Sequence, residues 1–307
     1  MKYIYLFICT AFLTSSCGAQ GSNKSPFAEA RKSFTTQLIK SDAVREPLEP
    51  PPAQLFRLVA YPASIGNMPA YLSNIPQDGT LRPAMVWLTG GLNNDIGDVW
   101  SEQESDNDQS AAAIRKTGII MMYPAQRGGN TSPGNNEICY GEVDDIIAAA
   151  QFLAKQPGVD PKRIYLGGHS TGGTKAILAA EASGMFRAIF SFGPVNRIDD
   201  YGTQYYEAFD TVSPKELEMR SPVLWLSSLT APLFVFEGTY GNYAGLKYMQ
   251  QVAKKEGNVY ARFYELKEHD HFSGLQQTCT LIAQKIMADT NATVNIQISS
   301  NELPEYK

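Results

Sequence analysis

The chain has 307 residues, of which 43% are hydrophobic and 19% charged, an ordinary composition for a soluble globular protein with a large core. Its formal net charge is -5 and its sequence pI is about 5.3. No block of like charge appears along the sequence, so a nucleic-acid partner is not expected.

Residues 1–17 have the pattern of a secretory signal. Lys2 is followed by an apolar run over residues 3–13, too short to cross a bilayer as a helix, and then by small residues that end at Cys17. The letters LTSSC also resemble a bacterial lipobox, in which the Cys becomes the lipidated N-terminus. We therefore expect Cys17 to anchor the mature protein in the periplasm or at the outer membrane. The alternative is a plain secretory signal in which Cys17 has no role.

Removal of the signal would discard Cys9 and modify Cys17, which leaves Cys139 and Cys279. In an oxidising compartment these two could form one disulfide. Two cysteines do not make a disulfide scaffold, so the fold must rest on its core.

Residues 18–54 are polar and end in the proline-rich stretch EPLEPPPAQ, which cannot continue a helix. This composition predicts a tether with one short helix near residues 26–40.

From residue 55 onward, short apolar runs alternate with segments of helix length. LFRLVAYPA and MPAYLSN are predicted to be antiparallel strands, and they are followed by AMVWLTGG, GIIMMYPA, RIYLGGHS, AIFSFG, APLFVFEG and YARFYEL. Continuous apolar runs separated by helices indicate parallel strands that are buried on both faces. The pattern predicts an α/β domain over residues 55–290, with a doubly wound, mostly parallel sheet and helices on both faces. Residues 291–307 are left as a C-terminal tail.

One of these runs ends abruptly in the glycine-rich sequence around Ser170. Gly168-His169-Ser170-Thr171-Gly172 matches the G-x-S-x-G pattern, and the helical sequence TKAILAAEA follows it directly. In such a turn the serine hydroxyl projects above the carboxyl edge of the sheet, where ligands of parallel sheets bind. The pattern therefore predicts a nucleophilic Ser170, and the alternative is a glycine-rich turn with a structural serine.

These features resemble the α/β-hydrolase fold, most closely its prolyl-oligopeptidase-like and acyl-esterase-like branch. The resemblance covers nearly all of residues 55–289 and rests on VDPKRIYLGGHSTGG, VWLTGG and EHDHFSG. It implies a serine hydrolase that cleaves an ester or peptide substrate through an acyl-enzyme and needs no cofactor or metal.

The resemblance also implies an oxyanion hole. In the family the loop after the third strand supplies a backbone N–H, usually from an H-G-G sequence, and Thr89-Gly90-Gly91 stands in that place here. The implied donors are the N–H groups of Gly91 and Thr171, with Leu92 as a neighbour that could substitute.

A serine hydroxyl needs a base, and the chain has three histidines. His169 lies inside the elbow, where the neighbouring side chain is expected to point away from the nucleophile. His269 and His271 follow the final strand, where the family's order of Ser, acid and His places the base. We expect His271, because the family's base is followed by an aromatic residue and Phe272 comes next. His269-Asp270-His271 could instead be half of a metal site.

The acid of the triad is harder to place. The family pattern after the strand LFVFEG is roughly His-Gly-x-x-Asp, but the chain reads EGTYGN, with Gly241 where the Asp belongs. Three candidates remain: Asn242, Glu237, and Asp199 from the preceding GPVNRIDDYG segment. Asp199 is preferred, because some α/β-hydrolases take the acid from that strand end. The missing Asp keeps a second hypothesis open, a catalytically impaired binding or scaffold lipoprotein.

Several aromatic residues lie between the strands AIFSFG and APLFVFEG. They could line a substrate pocket, or they could simply pack a helix onto the sheet. They are Tyr201, Tyr205, Tyr206, Phe209 and Trp225.

Overall fold

A computed structural model describes residues 25–40, 47–202 and 208–305. Within these ranges, eight strands form one sheet: β1 (Phe56–Ala63), β2 (Gly66–Ser73), β3 (Arg82–Leu88), β4 (Ile120–Pro124), β5 (Val159–His169), β6 (Ile189–Phe192), β7 (Leu233–Gly238) and β8 (Ala261–Leu266). Their order is β1-β2-β4-β3-β5-β6-β7-β8. β2 pairs antiparallel with β1 and β4, and all other pairs are parallel. The predicted fold class, an α/β-hydrolase sheet with antiparallel N-terminal strands, is confirmed.

Helices cover both faces of this sheet. They are α1 (Pro26–Lys32), α2 (Ala112–Arg115), α3 (Glu142–Leu153), α4 (Thr171–Ala182), α5 (Pro214–Glu218), α6 (Tyr243–Lys255) and α7 (Leu275–Ala288). One apolar core lies between the sheet and α1, α3, α4 and α6, and a second lies on the face of α2 and α7. None of the helices in the described ranges combines the length and the apolar character that a bilayer crossing requires.

The register of the parallel strands brings their carboxyl ends to one edge. Leu88 at the end of β3 is aligned with Gly168 in β5, His169 with Phe192 at the end of β6, and Gly238 in β7 with Leu266 in β8. The segments that follow these strands therefore meet at one edge, where α/β proteins bind their ligands.

The two remaining cysteines lie on opposite faces of the sheet. Cys139 belongs to the core beside α3 and α4, and Cys279 in α7 belongs to the other core. Both are free thiols. The disulfide that the sequence left open is therefore not formed, because the sheet separates the two sulfur atoms.

The N-terminal helix packs against the domain, where the sequence predicted a tether. α1 begins after Ser25, whose side chain accepts a hydrogen bond from the N–H of Ala28, and it ends at Lys32, earlier than predicted. Phe27 is fully buried, and its ring lies 5.0 Å from that of Trp225. The signal sequence with Cys9 and Cys17 lies outside the described residues.

The predicted C-terminal tail also packs against the domain. Ile296 and Ile298 are buried in the core beside α7, and the hydroxyl of Tyr264 donates to the carbonyl of Ile298 at 3.1 Å. These residues cover the face of the sheet formed by its last strands.

Candidate active site

Ser170 is the first residue after β5 and occupies the N-cap position of α4, where its side chain makes no capping hydrogen bond. Its backbone has φ 56° and ψ -119°, a combination that residues with a side chain rarely adopt. The strain allows a strand to turn directly into a helix while the serine side chain stays at the sheet edge.

Gly172 shows why this turn needs glycine. A Cβ atom there would lie 2.2 Å from the carbonyl oxygen of Leu88 in β3. The first turn of α4 thus packs directly against the backbone of the neighbouring strand. This close approach fixes where Ser170 sits relative to the loop that follows β3.

His271 lies next to the elbow. Its ring centroid is 4.6 Å from that of His169, the residue directly before Ser170. Its side chain is 21% exposed, so the ring borders solvent. His269, the rival base, is buried, and its Nδ1 lies 3.2 Å from the hydroxyl of Ser273.

The carboxylate that contacts His271 belongs to Glu237, the penultimate residue of β7. Glu237 Oε2 lies 3.3 Å from His271 Nδ1, and Oε1 accepts a hydrogen bond from the N–H of Gly238 at 2.8 Å. Glu237 is 3% exposed, so this contact is shielded from water. A carboxylate on Nδ1 holds the imidazole in one orientation and leaves Nε2 available as a base.

The preference for Asp199 as the partner of His271 is thereby corrected. Asp199 lies in the 3₁₀ turn Ile198–Tyr201, and its Oδ1 accepts from Arg197 Nε at 3.1 Å. Asn242 is the residue before α6 and, within the described residues, forms no side-chain hydrogen bond with His271.

Gly241 explains how a glutamate takes this place. A Cβ atom at Gly241 would lie 2.3 Å from Glu237 Oε1 and 3.2 Å from the Cα of His271. The Glu237 carboxylate therefore occupies the space beside the position where the family pattern has an aspartate.

His169 has a role that the sequence did not reveal. It is fully buried, its Nε2 lies 3.0 Å from the carbonyl oxygen of His271, and its Nδ1 lies 3.1 Å from the side-chain amide of Gln109. Burial, with the nearby His271 as a second cause, lowers its pKa to about 3. The ring is therefore neutral, and Nε2–H donates to the carbonyl oxygen of His271. The Gln109 atom nearest to Nδ1 is Oε1, so Nδ1 accepts from this amide only with the amide nitrogen and oxygen exchanged. Only the tertiary structure shows the contact with His271, because 102 residues separate the two histidines.

The loop over residues 89–94, which we call the oxyanion loop, follows β3 and lies against the elbow. A Cβ atom at Gly90 would be 3.2 Å from the Cβ of Ser170. The Thr171 hydroxyl donates to the carbonyl oxygen of Gly91. The side-chain amide of Asn136 donates to the carbonyl oxygen of Leu92 at 2.7 Å. The structure thus brings the predicted donor residues Gly91 and Thr171 together beside Ser170.

One of the aromatic candidates reaches the nucleophile. The Tyr201 hydroxyl lies 3.0 Å from Thr174 Oγ1 and hydrogen-bonds the Ser170 side chain. Burial raises the pKa of Tyr201, so its hydroxyl stays protonated at neutral pH. Phe209 and Trp225 pack in or against the core instead, while Tyr205 and Tyr206 lie outside the described residues.

Two cavities lie beside the site. One, of about 700 Å³, is lined by Thr89, Gly90 and the proline-rich residues 47–50. The other, of about 490 Å³, is lined by residues 194–197 and by the segment around Gly241. The first cavity borders the loop that follows β3, and the second borders the segment that follows β7. In the described part of the chain, no three His, Cys, Asp or Glu side chains are grouped so that they could hold a metal ion.

Known proteins share this architecture. An acylaminoacyl peptidase of Pyrococcus horikoshii superposes with a TM-score of 0.64 at 16% identity, over 81% of this chain and 44% of its own. An esterase of Pyrobaculum calidifontis superposes with a TM-score of 0.55 at 18% identity, over 77% of this chain and 86% of its own.

A thiohydrolase of Aspergillus aculeatus is 34% identical over 89 residues, which are 28% of this chain and 28% of that enzyme. The chain thus spans less than half of the length of the peptidase and of the thiohydrolase that it matches.

The sequence profile of the prolyl oligopeptidase family matches residues 106–274, which include Ser170, Glu237 and His271. This match covers more than half of the chain. The protein belongs to the prolyl oligopeptidase family.

Proposed function

We propose that this protein is a serine hydrolase that cleaves an ester or peptide bond through an acyl-enzyme on Ser170. The observation that carries the proposal is the strained backbone of Ser170 at the strand-to-helix turn, with the His271–Glu237 pair at the same sheet edge. A structural serine has no need of that conformation or of those neighbours.

The reaction follows from this geometry. His271 takes the proton of the Ser170 hydroxyl at Nε2 as the serine oxygen attacks the substrate carbonyl, and Glu237 stabilises the resulting imidazolium. The tetrahedral oxyanion accepts hydrogen bonds from the N–H groups of Gly91 and Thr171. His271 then donates its proton to the leaving group, and water hydrolyses the acyl-enzyme by the same steps in reverse order.

The N–H groups proposed as oxyanion donors are available in the structure. Gly91 lies outside helices and strands, and its N–H donates no hydrogen bond to the described residues. Thr171 is the first residue of α4, where a backbone N–H has no acceptor within the helix. Donors of this kind point at a developing charge without reorganisation.

A fluorophosphonate probe tests the proposal. The folded protein is expected to gain the mass of one phosphonyl group, located on the peptide that contains Ser170, and Ser170→Ala is expected to stay unmodified. Turnover of matched p-nitrophenyl ester, acyl thioester and aminoacyl-anilide substrates then identifies the bond class. The thioester is included because the thiohydrolase relative is named for that chemistry.

The second hypothesis, a binding or scaffold protein that has lost activity, rested on Gly241. Glu237 now supplies a carboxylate at the place where one is required, so that argument is weaker. A clean failure of the folded protein to react with the probe would favour the binding protein.

We also propose that the protein is exported and held at a membrane in the periplasm or at the outer membrane through a lipid on Cys17. The support is the sequence alone: Lys2, the apolar run over residues 3–13 and the lipobox-like LTSSC. Cys17→Ser is expected to release the protein from membranes in cell fractionation. Unchanged membrane retention of that variant would contradict the anchor.

A further inference from the structure

Lys175 is a buried cationic side chain directly beneath the site. It lies in α4, on the helix that begins after Ser170, and is 4% exposed. Its Nζ donates to Gln126 Oε1 at 2.8 Å and to Asn94 Oδ1 at 3.2 Å. Within the described ranges no carboxylate forms an ion pair with it. Burial of an ammonium group without a carboxylate partner is costly, so its contacts call for an explanation.

The partner Asn94 is the last residue of the oxyanion loop. Its side-chain amide donates to the carbonyl of Arg127 at 2.7 Å and to Glu142 Oε1 at 2.8 Å, while its oxygen accepts from Lys175. Asn94 is 3% exposed, so every polar atom of its side chain is satisfied inside the protein. The amide is thus locked in one orientation.

Lys175 therefore connects two parts of the site that the sequence keeps far apart. Through Asn94 it holds one end of the oxyanion loop, and through α4 it is rigidly linked to Thr171. The hydroxyl of Thr171 holds the middle of the same loop at the carbonyl of Gly91. Both contacts run from one helix to the loop that supplies the Gly91 N–H.

We propose that Lys175 is a positioning residue for the oxyanion hole. By fixing Asn94 to α4, it sets the distance between the N–H groups of Gly91 and Thr171. The inference rests on the proposed function, because an oxyanion hole acts only when its donors lie about 2.7–3.1 Å from the oxyanion. A small shift of the loop weakens the hydrogen bond in the transition state but leaves substrate binding almost unchanged.

The test compares Lys175→Met, which keeps the length and volume of the side chain, with Arg187→Met. Arg187 is also a mostly buried cation, but it pairs with Asp289 at 2.6 Å and does not contact the oxyanion loop in the described residues. We expect kcat of Lys175→Met to fall about 10- to 100-fold with KM within about twofold, since one oxyanion donor is worth ~10²- to 10³-fold. Arg187→Met is expected to lose stability at unchanged kcat.

A double-mutant cycle identifies the route. If Lys175 acts through Asn94, then Asn94→Ala lowers kcat similarly, and the double variant is no worse than either single variant. Additive losses would overturn a route through Asn94. If Lys175→Met does not fold, Lys175→Gln takes its place in the cycle.

Hydrogen exchange of peptides that cover residues 89–94 gives a readout that does not depend on activity. Exchange is expected to accelerate in Lys175→Met and to stay unchanged in Arg187→Met. Wild-type kcat together with wild-type exchange in Lys175→Met would overturn the inference. A wild-type protein that does not react at Ser170 would instead count against the proposed function, and exchange alone would then decide whether Lys175 holds the loop.

Discussion

Glu237 reaches His271 from a position four residues before the glycine that replaces the family's aspartate. Its side chain is one methylene longer than that of aspartate and starts inside β7, so it spans the space that a side chain at Gly241 would fill. The oxygen atoms are shared between the N–H of Gly238 and the imidazole of His271. A carboxylate can thus enter the same site from a different backbone position.

Ser170 and His271 are predicted to act as a unit. Ser170→Ala and His271→Ala should each remove nearly all turnover of an activated ester, and the double variant should lose little more. His269→Ala should be mild, because that ring contacts Ser273. Steady-state kinetics on purified variants measure the effect. A severe loss in His269→Ala with near-normal turnover in His271→Ala would reverse the assignment.

Glu237→Gln tests the acid. We expect kcat of this variant to fall by several powers of ten, because the change keeps the size of the side chain but removes the charge that stabilises the imidazolium. The corresponding loss in a serine protease is about 10⁴-fold in kcat. Asp199→Asn serves as the control and should stay within about tenfold, an effect of about 1.4 kcal/mol on the barrier, because its partner is Arg197. Equal losses in the two variants would contradict the role of Glu237.

Gly241→Asp tests whether the two positions share one space. Alone, it should lower turnover, because its Cβ would lie 2.3 Å from Glu237 Oε1. Combined with Glu237→Ala it should restore part of the turnover that Glu237→Ala loses. The backbone at Gly241 does not have positive φ, so an aspartate is compatible with it. A double variant that turns over as slowly as Glu237→Ala would show that a carboxylate at residue 241 cannot replace the one at residue 237.

At the scale of elements, α1 is an integral part of the fold. Its N-terminal residues are capped by Ser25, and its one fully buried side chain, Phe27, fills space between α4 and the segment around Trp225. The N–H of Phe27 also donates to the hydroxyl of Ser228 at 3.1 Å. The helix is short, so its stability comes from this packing and not from its own propensity.

Phe27→Ala should therefore destabilise the whole domain by about 3–5 kcal/mol, the usual cost of deleting a buried aromatic side chain. Urea unfolding followed by circular dichroism measures the change. Ile39→Ala, at a side chain that is 67% exposed, is the control and should stay within about 0.5 kcal/mol. Similar values for the two variants would mean that α1 contributes little to folding.

At the scale of the whole molecule, the burial of His169 ties stability to pH. Its pKa is lowered to about 3 in the folded protein, against about 6.5 in an unfolded chain. The unfolded state therefore binds a proton first as the pH falls. The stabilisation that the neutral ring adds to the free energy of unfolding is fully present above pH 6.5. It is lost progressively as the pH falls from about 6.5 to 3.

The free energy of unfolding should thus fall more steeply with acid in the wild type than in His169→Gln, by up to about 1.4 kcal/mol per pH unit. Urea unfolding at pH 7.5, 6.5, 5.5 and 4.5 gives both slopes. Other titrating groups are common to the two proteins, so the difference isolates His169. Parallel slopes below pH 6.5 would contradict a buried neutral ring.

The sequence alone predicted the features that depend on local pattern. Continuous apolar runs predicted the strands, and glycines around Ser170 predicted the strand-to-helix turn, because these signals lie within a few neighbouring residues. The family resemblance brought Gly91, Thr171 and His271 forward as candidates. In the structure the Thr171 hydroxyl donates to the Gly91 carbonyl, and the His271 ring lies 4.6 Å from the ring of His169, the residue before Ser170.

Tertiary structure alone decided which distant side chains meet. It placed Glu237 instead of Asp199 on His271, His169 against the backbone of His271, and Cys139 and Cys279 on opposite faces of the sheet. Each of these arrangements depends on strand register and on the layer to which a residue belongs. A linear pattern carries none of these quantities, since they arise only when strands that are far apart in the chain pair into one sheet.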